Sequence, residues 1–248
     1  MIRYFLEVAY LGTHYAGFQV QPNAITIQSE IEKAFGVFFR KPVSLTGSSR
    51  TDTGVHARQN FFHFDWEEEI NPAVVYNLNA LLPGSIVIRQ LIVMPPEAHS
   101  RFDATSREYR YYIALRKDPF LQDRSYFYPF TLDKEKLQAA AAKVKEYEDF
   151  TSFSKKGSQA KTMQCRILQS DWEEEEGCLV YKVEANRFLR GMVRGLTGTM
   201  LQVGRGKLSV ADFEGIIRLK DATRADFSVP GQGLFLQKVN YPAGYFPE

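Results

Sequence analysis

Cysteine is scarce in this chain, since only Cys165 and Cys178 occur among 248 residues. Their spacing fits neither a metal-ligand motif nor a disulfide framework, and a reduced, cytoplasmic setting is the simplest interpretation. Long hydrophobic runs are also missing, because no apolar stretch approaches the ~18 residues that a membrane-spanning helix needs. The first ten residues alternate with the period of a strand, whereas a signal peptide has a continuous apolar core. We therefore expect a cytoplasmic protein outside the membrane.

A strong excess of charge of one sign is absent too. The formal net charge is +2 and the isoelectric point is near 8.4, so an anionic partner must be met by a local basic patch. No repeat period typical of solenoid proteins is present. Aromatic residues are abundant, with 13 tyrosines and 19 phenylalanines. Such residues are first of all typical of cores and sheets.

Helical segments can be located from caps and from apolar spacing. The helix predicted after Thr26 has an apolar face made of Ile27, Ile31, Ala34, Phe35 and Phe38. Asn71-Pro72 and Pro83-Gly84 are typical of the start and stop of a second helix. Further helices are predicted from Asp133, over residues 186–204, and from Ser209, which forms a capping box with Asp212.

Strand-like segments, among them "KPVSLTG" and "NFFHFDW", alternate with these helices, and residues 173–177 favour a hairpin tip. This order predicts an α+β protein in which an antiparallel, mixed sheet is covered by helices on one side. We expect two similar α/β halves. Residues 1–105 would contain the turn around Asp52, and residues 106–248 would contain an arginine-rich helix.

The stretch Arg50-Thr51-Asp52-Thr53-Gly54 has two interpretations. Asp and Gly are typical of a surface turn, and taken alone the turn is the simpler explanation. An Asp beside an Arg at the mouth of an aromatic strand loses hydration, however, and pairing or function must offset that loss. His56 is interpreted as a hydrogen-bonding structural residue. A metal site formed by Asp52, His56 and Asp65 is an alternative without a recognised ligand signature.

The segment "RFDATSREYRYYI" interleaves basic and aromatic residues on a predicted strand. Arg101, Arg107 and Arg110 alternate with tyrosines 109, 111 and 112. An amphipathic strand with cation–π contacts would explain this pattern. A surface on which a nucleic-acid base stacks while arginines hold phosphates explains it equally well.

The helix predicted from residue 187 has two unusual features. Arg187, Arg190 and Arg194 are spaced to share one face in its first half, where the helix dipole favours anions. The same segment contains Gly191, Gly195 and Gly198, each of which costs up to ~1 kcal/mol relative to alanine in a helix. Close backbone approach together with an anionic partner would explain both features.

Taken together, four stretches resemble the tRNA pseudouridine synthase A family, in the family's order. "YLGTHYAGFQVQ" resembles its opening motif, with Leu11 and Phe18 where the family usually has Asp and Trp. "GSSRTDTGVHA" resembles its Arg-Thr-Asp-x-Gly-Val-His-Ala signature. "HSRFDATSREYRYYI" and "FLRGMVRGLTGTMLQVG" resemble its tyrosine-rich block and its Met-Val-Arg helix. The stretches span nearly the whole chain.

The resemblance implies the pseudouridine synthase fold and an isomerase that converts uridine to pseudouridine at positions 38, 39 and 40 of the tRNA anticodon arm. It implies that no metal or organic cofactor is needed and that the enzyme is a homodimer. Asp52 would be the catalytic aspartate, Tyr109 the active-site tyrosine, and Arg194 the arginine that pairs with the aspartate. Arg50 would help to move the target base. The other arginines expected to bind RNA are Arg101, Arg107, Arg110, Arg187 and Arg190.

Two other functions fit parts of the pattern. A non-catalytic RNA-binding protein would have no reason to keep a carboxylate facing phosphate-rich RNA. A metal-dependent nuclease would be sensitive to a chelator. The basic loop with Lys155, Lys156 and Lys161 is by default solvated charge, and tRNA contact is the sharper hypothesis for it.

Overall fold

The computed structural model describes residues 1–155, 157 and 160–247. Within this range the chain forms α+β structure, as predicted. The strands are β1 (Ile2–Tyr10), β2 (Thr46–Gly47), β3 (His56–Trp66), β4 (Ile86–Met94), β5 (Ser106–Ala114), β6 (Tyr126–Phe127), β7 (Ile167–Glu175), β8 (Cys178–Ala185) and β9 (Leu234–Asn240). The helices are α1 (Ile27–Phe39), α2 (Val74–Leu81), α3 (Lys134–Val144), α4 (Met192–Gly204) and α5 (Val210–Leu219).

The chain divides into two compact units. One contains residues 1–105 together with the C-terminal segment from Phe235 onward, and the other contains residues 106–234. That residues 1–105 and 106–248 are separate domains stays a prediction. No helix in the described ranges has the length and hydrophobicity of a membrane span.

The first unit is a sheet in the order β4-β1-β3-β9, with β2 paired to β3. Strands β1, β3 and β4 are antiparallel, and β9 runs parallel to β3. On one face of β3, the Phe64 ring lies 5.3 Å from Phe35 of α1. On the other face, Phe61 lies 5.4 Å from Tyr241 of the C-terminal segment. Alternate residues of β3 therefore face a helix and an aromatic tail.

The second unit is built on β5-β8-β7, with β6 parallel to β5. Helix α3 packs on β7, where Ser170 Oγ donates to the carbonyl of Ala141 at 2.8 Å. Gly204 at the end of α4 lies so close to α3 that a Cβ there would be 2.9 Å from Leu137. The sequence predicts an apolar face of α3 made of Leu137, Ala141, Val144 and Tyr147. The first three are buried on the helix, whereas Tyr147 lies beyond its end and is half-buried.

Local sequence signals predicted several element ends correctly. Thr26 and Ser209 form the N-terminal capping boxes of α1 and α5, and Asp133 caps α3. The β7–β8 hairpin turns at Glu176 and Gly177, which both have positive φ, at 51° and 76°. This is the backbone that a two-residue type I′ hairpin requires.

Three predictions about elements were wrong. Phe38 is 40% exposed, and its neighbour Phe39 contacts the sheet instead, with its ring 5.1 Å from that of Trp66 on β3. Of the predicted strand "KPVSLTG", only Thr46–Gly47 pairs with β3. The helix predicted over 186–204 begins at Met192, because Gly191 caps it with a φ of +72° and breaks the helical backbone there.

Candidate active site

The predicted turn around Asp52 is present between β2 and β3. The N–H of Val55 donates to the carbonyl of Asp52 at 3.1 Å, which closes a β-turn. Gly54 at the third position has a φ of +76°, in the left-handed region that favours glycine. The turn leaves Asp52 half-exposed while Thr51 before it and Val55 after it are buried. The backbone thus presents the carboxylate at the edge of a buried segment.

The loop after β1 packs directly against this turn. The N–H of Phe18 donates to the carbonyl of Thr51 at 3.1 Å. A Cβ at Gly17 would lie 3.0 Å from the same carbonyl oxygen, and Gly17 has a φ of +95°. A Cβ at Gly12 would lie only 2.0 Å from the carbonyl oxygen of Val55. The two glycines of "YLGTHYAGF" are therefore required by close contact with the turn.

A buried chain of polar groups holds the segment before Asp52. The hydroxyls of Thr51 and Tyr10 lie 2.9 Å apart. Asn60 Nδ2 donates to the Tyr10 hydroxyl at 3.1 Å and to the carbonyl of Ser49 at 3.1 Å. Asn60 Oδ1 accepts from Ser48 Oγ at 2.7 Å. Asn60 is fully buried, so these bonds tie residues 48–51 firmly to β1 and β3.

His56 fits the structural role predicted for it. The ring is fully buried and stacks on Phe235 at a centroid distance of 4.4 Å. Its Nδ1 accepts from the N–H of Gly12 at 3.0 Å. Asp65 is bonded to Arg3 at 2.5 and 3.0 Å. No group of three or more His, Cys, Asp and Glu side chains suited to a metal occurs in the described part of the chain, so the alternative metal site finds no support.

Arg50 and Arg101 line one pocket of about 220 Å³ in the first unit. Both side chains are exposed. Phe102 lines the same pocket and is 74% exposed. Arg50 and Arg101 belong to separate sequence motifs, and the fold brings them to one cavity. The link is a hydrogen bond of 3.0 Å from Ser100 Oγ, next to Arg101, to the backbone carbonyl of Thr46, which precedes the Asp52 turn.

Strand β5 separates the residues of the tyrosine–arginine segment onto two faces. Arg107 and Tyr109 share one face, since side chains alternate along a strand. The Tyr109 ring lies 5.0 Å from Phe188, edge to face, and Arg107 donates to the carbonyl of Asn186 at 3.2 Å. Arg110 lies on the opposite face and is paired with two carboxylates, Glu108 at 3.0 Å and Glu175 at 2.9 Å.

This pairing revises the interpretation of Arg110. Its charge is neutralised within the sheet, and the two carboxylates would repel a phosphate. The amphipathic-strand explanation therefore fits the face with Arg110, whereas the face with Arg107 and Tyr109 keeps the pattern expected of an RNA contact. Whether Arg110 binds RNA stays a prediction, and the structure argues for a role in the sheet.

Arg194 lies in the first turn of α4, three residues after the cap at Gly191. Its Nε donates to the carbonyl of Val229 at 2.8 Å, and Nη2 donates to that of Phe227 at 3.4 Å. These carbonyls fix the direction of the guanidinium. The nearby Tyr111 hydroxyl donates to the carbonyl of Pro230 at 2.7 Å. Burial raises the pKa of Tyr111 far above its usual value, against the opposing effect of the Arg194 charge.

The predicted arginine face of α4 is wrong. Arg187 and Arg190 precede the helix, and only Arg194 belongs to it. Burial raises the pKa of the Cys165 thiol to about 11, and the charge of Arg187 opposes this rise. The carbonyl of Arg190 accepts from the N–H of Lys155 at 2.9 Å, which ties the basic loop to this segment. Lys156 lies outside the described residues.

The candidate residues are thus divided between the two units. Asp52, Arg50 and Arg101 belong to the first, and Tyr109, Arg194 and the remaining arginines belong to the second. Sequence reasoning missed Tyr10, Asn60 and Phe102. A signal for Asn60 was present, because it is a polar residue within the aromatic strand "NFFHF".

Comparison with known proteins identifies the family. A family model described as tRNA pseudouridine synthase matches residues 141–242. The tRNA pseudouridine synthase A of Parabacteroides distasonis is 45% identical over 100% of this chain and 99% of its own length. The chain belongs to the tRNA pseudouridine synthase A family.

Further members of this family are similar over comparable lengths. That of Bacteroides fragilis is 46% identical over 98% of both chains. That of Staphylococcus aureus is 33% identical over 96% of this chain and 90% of its own. Membership confirms the resemblance carried by the four sequence stretches. The relatives span the Asp52 turn, which lies outside the range of the family model.

Proposed function

We propose that this protein isomerises uridine to pseudouridine at positions 38, 39 and 40 of the tRNA anticodon stem-loop, with Asp52 as the catalytic carboxylate. The observation that carries the proposal is the construction of the Asp52 turn. A buried hydrogen-bond chain through Tyr10 and Asn60 and two close-packed glycines hold one half-exposed carboxylate. A plain surface turn has no need of such support, whereas a reacting group must be held in place.

The reaction replaces a bond from ribose to N1 of uracil by a bond to C5. It is redox-neutral, and the base must be released, rotated and rejoined before it escapes. An ionised carboxylate can attack the ribose or the base, or can accept the proton from C5. Each route requires the uridine to leave the helical stack. Asp52 is half-exposed, so a uridine that has left the stack can reach its carboxylate.

Tyr109, Arg194 and Arg50 are proposed as supporting residues of the active site. A tyrosine ring stacks on a base in a sequence-tolerant manner, and Tyr109 is held at an edge-to-face angle of 82° by Phe188. An arginine charge favours the ionised form of a carboxylate, and the guanidinium of Arg194 is oriented by two backbone carbonyls. Arg50 is exposed two residues before Asp52, where it can contact the displaced base or its phosphate.

The substitution Asp52→Asn tests the catalytic role directly. It keeps the size and the turn but cannot ionise, so we expect pseudouridine formation in an unmodified tRNA transcript to fall below detection. The affinity for that transcript should change by less than about threefold, because only one charge on the protein changes. Single-turnover assays and filter binding measure the two quantities. Asp123→Asn, at an exposed aspartate of the other unit, is the control and should retain full activity. Substantial turnover by the Asp52→Asn variant would refute the assignment.

The remaining parts of the proposal concern context. We infer that the enzyme works in the cytoplasm, as a homodimer, and without a metal or organic cofactor. Activity that persists after dialysis against EDTA would agree with metal-independent chemistry. Loss of activity on a tRNA that stays folded without Mg²⁺ would oppose it. A mass near 57 kDa in analytical ultracentrifugation, about twice the 28.4 kDa of one chain, is the expected result for a dimer.

A further inference from the structure

A pocket of about 220 Å³ in the first unit joins Arg50 to residues that the chemistry described so far does not use. It is lined by Arg50 and Arg101, by the rings of Phe18, His99 and Phe102, and by neighbouring polar groups. Its volume is below the 300–1,000 Å³ typical of sites for drug-sized ligands, and suits a single planar ring. Arg50 connects it along the chain to the Asp52 turn, two residues away.

Phe102 is the unusual group in this pocket. Single exposed apolar side chains are common on protein surfaces, but this one is held in place. The His99 ring lies 4.2 Å from the Phe102 ring, at an interplanar angle of 32°. The Arg101 guanidinium lies 5.8 Å from the ring centre. An aromatic ring that is 74% exposed and yet restrained is pre-organised to stack on another ring.

His99 also fixes the backbone beneath this ring. Its Nδ1 accepts from the N–H groups of Arg101 at 3.1 Å and Phe102 at 3.3 Å. Burial lowers the pKa of His99 below its usual value, which favours the form of the ring in which Nδ1 accepts. On the far side, His99 packs against the buried His63 at 4.4 Å. His99 therefore connects Arg101 and Phe102 to the buried core of the unit.

The chemistry of the pocket matches a nucleotide. A base has a flat face that stacks on an aromatic side chain, and its phosphate carries a charge that guanidinium groups bind with paired hydrogen bonds. Arg50 and Arg101 supply two exposed positive groups on one cavity in a chain whose net charge is only +2. A local basic patch of this kind is what an RNA partner requires of such a chain.

We infer that this pocket is a nucleotide-binding subsite that holds one base of the RNA substrate within two nucleotides of the target uridine, stacked on Phe102 with its phosphate on Arg50 and Arg101. The inference rests on the proposed function for the identity of the RNA. It assigns a further contact to the same substrate. Displacing the target from the helical stack leaves its neighbours partly unstacked, and a second stacking platform offsets that loss.

The test is a double-mutant cycle between protein and RNA. Binding of an anticodon stem-loop RNA is measured in the Asp52→Asn background, so that the uridine stays unmodified. Phe102→Ala is expected to weaken binding roughly 5- to 100-fold, as found for base–aromatic stacks. Phe102→Tyr, which keeps the ring, should restore it. Tyr76→Ala removes an aromatic ring that is 81% exposed elsewhere in the unit and should leave binding unchanged.

The RNA side of the cycle locates the base. Each nucleotide within two positions of the target is replaced in turn by an abasic residue. At one position the abasic RNA should bind weakly to the parent protein, and Phe102→Ala should then cost less than about twofold. Unchanged binding of Phe102→Ala, or an equal loss on every abasic RNA, would overturn the inference. Failure of the proposed function is seen separately, as a wild-type protein that makes no pseudouridine.

Discussion

At the scale of single residues, Asn60 is the group on which the candidate active site depends most. It is fully buried, and its side-chain amide is hydrogen-bonded to Tyr10, to Ser48, to the backbone of Ser49 and to the N–H of Phe61. Ser48 and Ser49 directly precede Arg50, and the Tyr10 hydroxyl lies 2.9 Å from that of Thr51. We expect Asn60 to act as a positioning residue for Asp52 and not to touch the substrate.

Replacing Asn60 by leucine should separate positioning from folding. The variant leaves the Tyr10 hydroxyl and Ser48 Oγ short of a buried partner, at about 1–3 kcal/mol of stability. Loss of the fixed turn should lower kcat roughly 10- to 100-fold with little change in KM for tRNA. Steady-state kinetics and thermal unfolding measure both effects.

Ser170→Ala is the matched control for this variant. It removes a buried hydrogen bond in the other unit, from Ser170 Oγ to Ala141, and should lower stability without lowering kcat. If Asn60→Leu lost stability yet kept the wild-type kcat, the positioning role would be wrong.

The turn itself could be predicted from Asp52 and Gly54, because turn chemistry is local. Its supports could not. Tyr10 reaches Thr51 across 41 residues and Asn60 reaches Tyr10 across 50. Nothing in the local sequence of any of these residues encodes that encounter. The family resemblance pointed to the right segments without stating why their glycines and tyrosine are there.

At the scale of elements, two predictions were made for helix α4. The one from the spacing of the arginines was wrong, and the one from the glycines was correct. The spacing of Arg187, Arg190 and Arg194 predicted one helical face, but Gly191 adopts a left-handed backbone and the helix begins after it. The glycines within the helix do serve close approach, as predicted. A Cβ at Gly198 would lie 2.2 Å from the carbonyl oxygen of Asp226, and one at Gly195 would lie 2.7 Å from the Phe227 ring.

Gly198→Ala should therefore be destabilising, although alanine favours helices. The methyl group must displace the backbone at Asp226, at a cost of about 1–3 kcal/mol. The same segment supplies the carbonyls that orient Arg194, so activity should fall as well. Gly36→Ala in α1 is the control, because nothing lies within 4 Å of its added Cβ. That variant should be neutral or gain up to ~1 kcal/mol. Equal stability of the two variants in urea unfolding would contradict the contact argument.

At the scale of the whole molecule, the pH dependence of stability has an identifiable source in His63. This side chain is buried on β3 with the N–H of Ser100 directed at its Nδ1. Burial lowers its pKa to about 4, helped by the charges of His99 and Arg3 and opposed by Asp65 and Asp103. Between pH 4 and the ordinary value of 6.5, the unfolded chain therefore binds a proton that the folded chain does not.

Stability should consequently be greatest above pH 6.5 and decrease as the pH falls toward 4. His63→Gln, which cannot be protonated, should lose less stability than the parent over that range. Thermal unfolding from pH 7.5 to 4.5 measures the difference. His14→Gln, at an exposed histidine, should follow the parent curve. Parallel curves for His63→Gln and the parent would show that His63 is not the source.

The α+β class and most element ends were predictable from caps, turns and hydrophobic period, since these are local signals. The return of β9 to lie beside β3 was not predictable, because the parallel pairing of His56 with Phe235 joins segments that are far apart in the sequence. The pocket at Phe102 was likewise not predictable from local sequence signals. It exists only once residues near 18, 50 and 100 have been brought together by the sheet.

We expect this chain to make pseudouridine in the anticodon arm through Asp52. Mass-shift mapping of chemically labelled pseudouridine, in an unmodified tRNA transcript incubated with the purified protein, tests it most directly. We predict label at positions 38 to 40 with the wild-type chain and none with Asp52→Asn. Absence of label with the wild-type chain or label confined to other positions would show that the chain lacks this activity, and equal label with Asp52→Asn would show that Asp52 is not the catalytic carboxylate.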